Sequence, residues 1–170
     1  MSRQHPSLPR EARLLASRVA AELGWPSYEV NTRGLEIHDY SYGFRMIRRE
    51  GDVTDAVYVK LPRHDLVFHP ERPLFPRTEQ DRATSAREFE SLSFLDQILT
   101  DEKIRFVEPR LHMVEEGAVV TTLAFGQDAF HDLRRWDRAA ARGSTEALEA
   151  LDRWLGGFGR SLRCFHKATD

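Results

Sequence analysis

The chain has 170 residues and a net charge of −2, which allows one domain with a modest core and gives no electrostatic case for nucleic-acid binding. A single cysteine, Cys164, excludes an intramolecular disulfide framework and a cysteine-rich zinc site. Apolar runs are too short to span a bilayer, and the N-terminal residues lack the apolar core of a secretory signal. We therefore expect a globular cytoplasmic protein that binds neither nucleic acid nor a membrane.

The first predicted element is a helix from Pro6 to Leu23. Its apolar residues recur at spacings of three and four, which places them on one helical face. Gly24 suits the C-terminal cap, and Pro26 prevents the helix from continuing. We expect this helix to pack at the edge of a sheet.

A short strand at Tyr28–Val30 and three further strands follow, and the latter predict an antiparallel meander: Leu35–Asp39, Phe44–Arg49 and Asp55–Leu61. The connection Tyr40–Gly43 is a candidate phosphate-covering loop, because the Ser41 hydroxyl, Gly43 and the backbone N–H groups could contact a phosphate. It contains one glycine, so a plain hairpin turn is the alternative interpretation.

Lys60 stands out in the alternating stretch DAVYVKL. Ala56, Tyr58 and Lys60 share one face of the predicted strand, and Val57, Val59 and Leu61 share the other. An ammonium group is costly to bury without a partner, so Lys60 is predicted to face a cleft that holds an anion and a carboxylate. A solvated lysine at a strand edge is the alternative.

The segment from Pro62 to Pro76 contains four prolines and predicts a loop that carries His64 and His69. No two histidines have the helical spacing of a zinc-binding pair, so the sequence predicts no metal site.

A long helix is predicted from an N-cap at Thr78 to about Leu99. Glu88 lies beside its apolar stripe and can face the sheet, whereas Glu90 lies further round towards solvent. Glu88 is therefore the predicted partner of Lys60, although surface exposure of both glutamates is the alternative. The predicted buried stripe consists of Phe89, Leu92, Leu95 and Leu99.

Two more strands are predicted at Pro109–Glu115 and Ala118–Leu123. A short helix that includes Phe130, Leu133 and Trp136 then ends near Gly143, and Ser144 or Thr145 caps a final helix. One face of the final helix carries six large apolar residues: Leu148, Leu151, Leu155, Phe158, Leu162 and Phe165.

From about Leu35 onward, the sequence resembles the N-terminal lobe of aminoglycoside phosphotransferase-like kinases, which are related to choline kinases and protein kinases. The matching features are the Ser41 loop, Lys60 in VYVK, Glu88 in REFESLSFL, the passage VTTLAFGQD and the closing residues Leu162–His166. The order and spacing of these features carry the resemblance.

The resemblance implies an α+β fold with a kinase-like N-lobe, in which a five-stranded antiparallel sheet packs with one principal helix. It divides the chain into an N-terminal helix at 1–27, an ATP-binding lobe at 28–124, and a hinge at 125–170 with the first helices of a C-terminal lobe.

The resemblance also implies roles for individual residues. Lys60 would contact the α- and β-phosphates of ATP, and Glu88 would hold it. The hinge would be formed by Thr122, Leu123 and Ala124, with backbone groups of the last two bonding the adenine edge. The residues that would sandwich the base are Val59, Val120 and Ile37.

The family's catalytic loop H-G-D-x-x-x-x-N and its magnesium-binding D-x-[DE] motif have no counterpart in this sequence. We therefore expect a truncated kinase that uses ATP and magnesium, is inactive alone, and belongs to an enzyme that phosphorylates a hydroxyl of an aminoglycoside, sugar, glycan or amino alcohol. A noncatalytic module that docks a partner through the last helix is one alternative, and an unrelated α+β domain is another. The apolar stripe of the final helix predicts that the isolated chain either self-associates through Leu155–Phe165 or folds this helix back in a non-native position.

Overall fold

A computed structural model describes residues 8–30, 34–50, 53–98, 107–123 and 129–169. These ranges contain four helices and six strands, which make an α+β protein with an open antiparallel sheet. The helices are α1 (Arg10–Glu22), α2 (Glu79–Ile98), α3 (Ala129–Ala140) and α4 (Thr145–Thr169). The strands are β1 (Glu29–Val30), β2 (Glu36–His38), β3 (Ser41–Glu50), β4 (Val53–Pro62), β5 (Pro109–Met113) and β6 (Ala118–Thr122).

The chain divides into two compact units. The first consists of Met1–Asp96 and Val107–Leu123, and it contains α1, the sheet and most of α2. The second consists of Gln97–Phe106 and Ala124–Asp170, and it contains α3 and α4. The described helices include none that is long and apolar enough to cross a membrane.

The strand order is β1-β3-β4-β6-β5, and β2 also pairs with β3. The predicted α+β class is confirmed, but the sheet has six strands rather than five because two short strands share one edge of β3. β1 pairs with Met46 and Ile47, whereas β2 pairs with residues 41–43. Gly34 has a φ of 68° just before β2, a conformation that does not continue an extended strand.

One face of the sheet, here called the apolar face, forms the core with α1. Alternate residues of β4 supply Val57, Val59 and Leu61, all fully buried. Phe44 and Met46 from β3 lie on the same face, opposite Val59 and Val57. α1 completes this core with residues at helical spacing: Ala12, Leu15, Ala16, Val19 and Ala20.

The other face carries Lys60 and is here called the polar face. The register of paired strands brings together its members: Glu36, His38, Ser41, Gly43, Arg45, Tyr58, Lys60, His112, Val119 and Thr121. α2 contacts this face, since the Ser85 hydroxyl lies 3.1 Å from His112 Nε2 and the Phe89 ring stacks on His112 with centroids 5.3 Å apart.

Several helix ends agree with the capping signals. The Thr78 hydroxyl accepts the N–H of Asp81 at 3.1 Å, and the Asp81 carboxylate accepts the N–H of Thr78 at 3.2 Å. The Ser144 hydroxyl caps α4 by accepting the N–H of Ala147 at 3.2 Å. Gly24 follows α1 with a φ of 66°, as its predicted capping role requires.

Two predictions about helices need correction. α1 begins at Arg10 rather than Pro6, because Leu8 precedes Pro9 and a residue before proline avoids the helical region. Pro9 itself is the N-cap, with a non-helical ψ of 153°. The predicted stripe of α2 is half-buried rather than buried at Phe89, Leu92 and Leu95, and the buried residues of α2 are Asp81 and Ser85. Leu99 lies outside the described residues.

Candidate functional site

The centre of the candidate site is the ion pair between Lys60 and Glu88. The Lys60 Nζ lies 2.7 Å from Glu88 Oε1, so the predicted pairing is confirmed. The two side chains are 35% and 27% exposed, and an ion pair of that exposure adds at most about 1 kcal/mol to stability. The pair therefore positions an ammonium group at the surface more than it stabilises the fold.

A cavity of about 460 Å³ opens beside Lys60. Its lining consists of His38, Asp39, Tyr40, Ser41, Tyr58 and Lys60. These side chains offer an ammonium, a hydroxyl, an imidazole, a carboxylate and two phenols, which is a polar lining suited to a ligand with several hydrogen-bonding groups.

Tyr58 forms one wall of this cavity and is held by residues of β2. Its hydroxyl lies 3.0 Å from His38 Nε2 and donates to Glu36 Oε2 at 3.4 Å. Burial, followed by the Glu36 charge, raises the pKa of Tyr58, so the phenol stays protonated at neutral pH. Arg45 secures the far side of Glu36, with Nε 3.1 Å from Oε1.

Gly43 lies beneath the Tyr58 ring and not in a loop. A Cβ atom at Gly43 would lie 2.0 Å from the Tyr58 hydroxyl oxygen, so only glycine leaves room for this ring. The predicted phosphate-covering loop Tyr40–Gly43 is wrong in its bounds, because the turn falls at Asp39–Tyr40 and β3 already begins at Ser41. Ser41 nevertheless lines the same cavity as Lys60.

The predicted hinge residues are engaged within the sheet. Thr122 donates its N–H to the Glu108 carbonyl at 2.9 Å and accepts the Glu108 N–H on its hydroxyl at 2.9 Å. The N–H of Leu123 donates to the Ala56 carbonyl at 3.0 Å, so a hydrogen bond from this group to a base requires that bond to break. Ala124 lies outside the described residues.

The predicted adenine sandwich of Val59, Val120 and Ile37 is wrong. Val59 and Val120 are fully buried in the core on the apolar face. Ile37 pairs with Tyr42, which places it on that same face, where it is 63% exposed. Residues on the apolar face cannot contact a ligand beside Lys60, because alternate strand residues point to opposite sides.

A cluster of charged residues that the sequence pattern did not predict lies in the loop 62–77 and the start of α2. It contains three arginines, two aspartates and one histidine: Arg63, His64, Asp65, Arg72, Arg77 and Asp81. Asp81 is fully buried, and nitrogens of all three arginines lie 3.8–4.0 Å from its carboxylate. Burial would raise the pKa of Asp81, but the Thr78 hydrogen bonds, Arg77 and Arg63 outweigh it and lower the pKa.

The same cluster fixes the loop to the rest of the unit. Arg63 donates to the Pro73 carbonyl at 2.7 Å, and Arg77 donates to the carbonyls of Pro62 and Gly117. Burial lowers the pKa of Arg77 to about 10, so it remains charged at neutral pH. The sole sequence signal for this cluster was the density of arginines within a proline-rich loop.

The oxygen and nitrogen atoms of His64, Asp65 and Asp81 lie within 4.8 Å of one another, a spacing that a metal ion could use. Both carboxylates are already paired with guanidinium groups, Asp65 with Arg72 and Asp81 with Arg63, Arg72 and Arg77. Three guanidinium groups repel a divalent cation at this position. The cluster is therefore an internal ionic anchor for the loop.

No family model, curated protein or solved structure matches this chain.

Proposed function

We propose that the polar face binds the phosphate groups of a nucleotide, as the ATP-binding part of a phosphotransferase that acts on a hydroxyl of a small molecule. The observation that carries this proposal is the 2.7 Å contact between Lys60 and Glu88 beside a cavity of about 460 Å³. A carboxylate that fixes a lysine at the mouth of a cavity presents the ammonium to an anionic ligand. In phosphotransferases such a lysine contacts the phosphates.

The surroundings of Lys60 suit a phosphate. Gly43 is the direct neighbour of Lys60 on β3, and because it has no side chain, the Tyr58 hydroxyl and ring occupy the space above it and form a wall of the cavity beside Lys60. The Ser41 hydroxyl lines the same cavity and can donate to a phosphate oxygen. Among the described residues that line this cavity, Asp39 supplies the one carboxylate, which could bind a magnesium ion that accompanies the phosphates.

The described residues offer contacts to the phosphates of the nucleotide rather than to its base. The Leu123 N–H is bonded to Ala56, and Val59 and Val120 lie on the opposite face. The phosphate and base contributions are therefore best measured separately, with inorganic triphosphate and adenosine beside ATP.

Isothermal titration calorimetry of the 170-residue chain with these three ligands, with and without magnesium, tests the proposal. We expect weak binding of ATP and triphosphate that falls at least about tenfold, or 1.4 kcal/mol, in Lys60→Met and falls less in Glu88→Gln. Arg49→Met removes an exposed cation from the far end of β3 and serves as the matched control, with no change. ATP and triphosphate affinities that are equal in wild type and Lys60→Met would refute the proposal.

Catalysis is a separate outcome, because general base and magnesium ligands of the kinase type are absent from the sequence. We expect the chain to bind nucleotide without transferring phosphate. Magnesium-dependent ADP production by the pure chain, lost in Lys60→Met, would show that the chemistry is complete within it.

A second candidate function is a noncatalytic module that associates through α4. Leu148, Leu155 and Phe158 on this helix are each at least 50% exposed, and the Trp154 and Phe158 rings stack at 5.3 Å. Analytical ultracentrifugation of wild type against Leu155→Glu/Phe158→Glu measures this. Self-association lost in the double variant, together with no nucleotide binding, would favour the module over the kinase.

A further inference from the structure

A second cavity, of about 320 Å³, lies between α1, the loop 62–77 and the β5–β6 turn. We propose that it binds a small organic cation with an apolar body. Its lining combines apolar residues, here called the floor, with acidic residues, here called the rim. The floor would contact the apolar body of the ligand, and the rim would bind its positive charge.

The floor consists of Leu14, Leu15 and Phe75. Leu15 belongs to the core, but Leu14 next to it points outward and is 59% exposed. Phe75 is partly buried against the core and supplies an aromatic surface to the same cavity. An apolar group placed against Leu14 and Phe75 would cover part of both from water, which is favourable in proportion to the area covered.

The rim is acidic. Glu11, Glu115 and Glu116 line the cavity together with Arg18, so three carboxylates and one guanidinium leave two negative charges. Arg18 pairs with the buried Glu116, which accounts for the positive charge. Within the described residues, neither Glu11 nor Glu115 has an ion-pair or hydrogen-bond partner on its side chain.

These two carboxylates belong to different elements, Glu11 to the first turn of α1 and Glu115 to the β5–β6 turn. An ammonium group bound between them would neutralise charge on both sides of the cavity. An anion of the same size would meet two unpaired carboxylates and is excluded by repulsion. The volume lies near the lower end of small-molecule clefts, which suits a compact ligand rather than a folded partner.

This site is separate from the Lys60 cavity. α1 packs on the apolar face of the sheet, whereas Lys60 lies on the polar face. A cation in the second cavity therefore does not compete with a phosphate ligand, and this inference does not depend on the proposed function.

The test uses three probes with the full chain: 2-phenylethylammonium, its acidic counterpart 3-phenylpropanoate, and ethylammonium, which keeps the charge but lacks the aromatic body. Backbone amide shifts in NMR titrations report where each probe binds. We expect saturable shifts along the start of α1 and the β5–β6 turn with 2-phenylethylammonium, and affinity at least about tenfold lower with either of the other probes.

Glu11→Gln/Glu115→Gln should lower the affinity for 2-phenylethylammonium at least about tenfold and remove its dependence on salt. Leu14→Ser should lower it while leaving the salt dependence intact. Glu22→Gln is the matched control, because it neutralises another exposed carboxylate of α1 away from the cavity. All substituted positions are exposed, and thermal unfolding checks that each variant is folded.

Equal binding of 3-phenylpropanoate, shifts that map elsewhere on the surface, or no saturable shift with 2-phenylethylammonium would each overturn the site.

Discussion

The two faces of the sheet are built from the same strands but use their side chains in different ways. On the apolar face, Val57, Val59 and Leu61 are fully buried and belong to the same core cluster as the buried residues of α1. On the polar face, Tyr58 and Lys60 form individual bonds to β2 and α2 and line a cavity. β4 thus contributes to both faces by alternation, with apolar core residues on one face and polar cavity-lining residues on the other.

The largest effect is expected from the apolar face. Phe44→Ala removes a fully buried ring from the core and should lower the free energy of unfolding by about 3–5 kcal/mol, measured by urea denaturation. Ile37→Ala is the control, because Ile37 shares this face but is mostly exposed, and it should cost less than about 0.5 kcal/mol. Equal losses in the two variants would show that burial on the apolar face does not set a residue's contribution to stability.

Asp81 tests whether buried charge can contribute as much as apolar packing. Asp81→Asn leaves Arg63 and Arg77 buried without their carboxylate and should cost about 3 kcal/mol in the same measurement. Asp96→Asn on the exposed side of α2 is the control and should have little effect.

The pH dependence follows from the lowered pKa of Asp81. A depressed carboxyl pKa stabilises the fold above the unfolded-state pKa of about 3.9, and the contribution is lost as pH falls through the folded-state pKa. The difference between wild type and Asp81→Asn should therefore be constant near neutral pH and shrink below about pH 4. If the stability difference between wild type and Asp81→Asn stayed the same in acid, the destabilisation would come from packing and not from the lost charge.

Gly43→Ala should have a smaller effect, at about 1–3 kcal/mol, because the new Cβ collides with the Tyr58 hydroxyl. Tyr58→Ala in the same chain should recover part of this loss, since the collision disappears. A double-mutant cycle measured by denaturation gives the coupling between the two positions. Additive losses would mean that the ring is not held over Gly43.

Lys60→Met should change stability least, by under about 1 kcal/mol, because its ion pair with Glu88 is partly exposed. Ligand binding on the polar face should nevertheless fall, so the same variant separates function from stability. A Lys60→Met chain that unfolds as easily as Phe44→Ala would assign Lys60 a structural role and weaken the proposed phosphate site.

Local signals in the sequence predicted most of the helix ends and the Lys60–Glu88 contact. Thr78, Ser144 and Gly24 each fix a boundary through bonds to residues a few positions away, so the information is local. The helical repeat predicted that Glu88 faces the sheet, and the alternation of β4 predicted that Lys60 faces a cleft. The structure places Lys60 Nζ 2.7 Å from Glu88 Oε1.

Two features could not be predicted because their causes are distant in sequence. In the sequence, Gly43 resembles a turn residue. In the structure it lies within β3, where the absence of a side chain leaves room for the ring of Tyr58, fifteen positions away on the neighbouring strand. Arg63 lies in a loop and Asp81 at a helix start, where charged residues are usually exposed. Both are fully buried here, and each lies close to the opposite charge of the other. Neither pairing follows from local pattern.

The two outer edges of the sheet affect how readily other copies of the chain can add a strand to it. At one edge, β3 is covered by β1 and β2, which have two and three residues. At the other, β5 begins with Pro109 and has a register shift between Pro109 and Leu111. Short, bulged or proline-bearing strands offer a poor template to an incoming strand, so fibril-like growth by sheet extension is disfavoured at both margins.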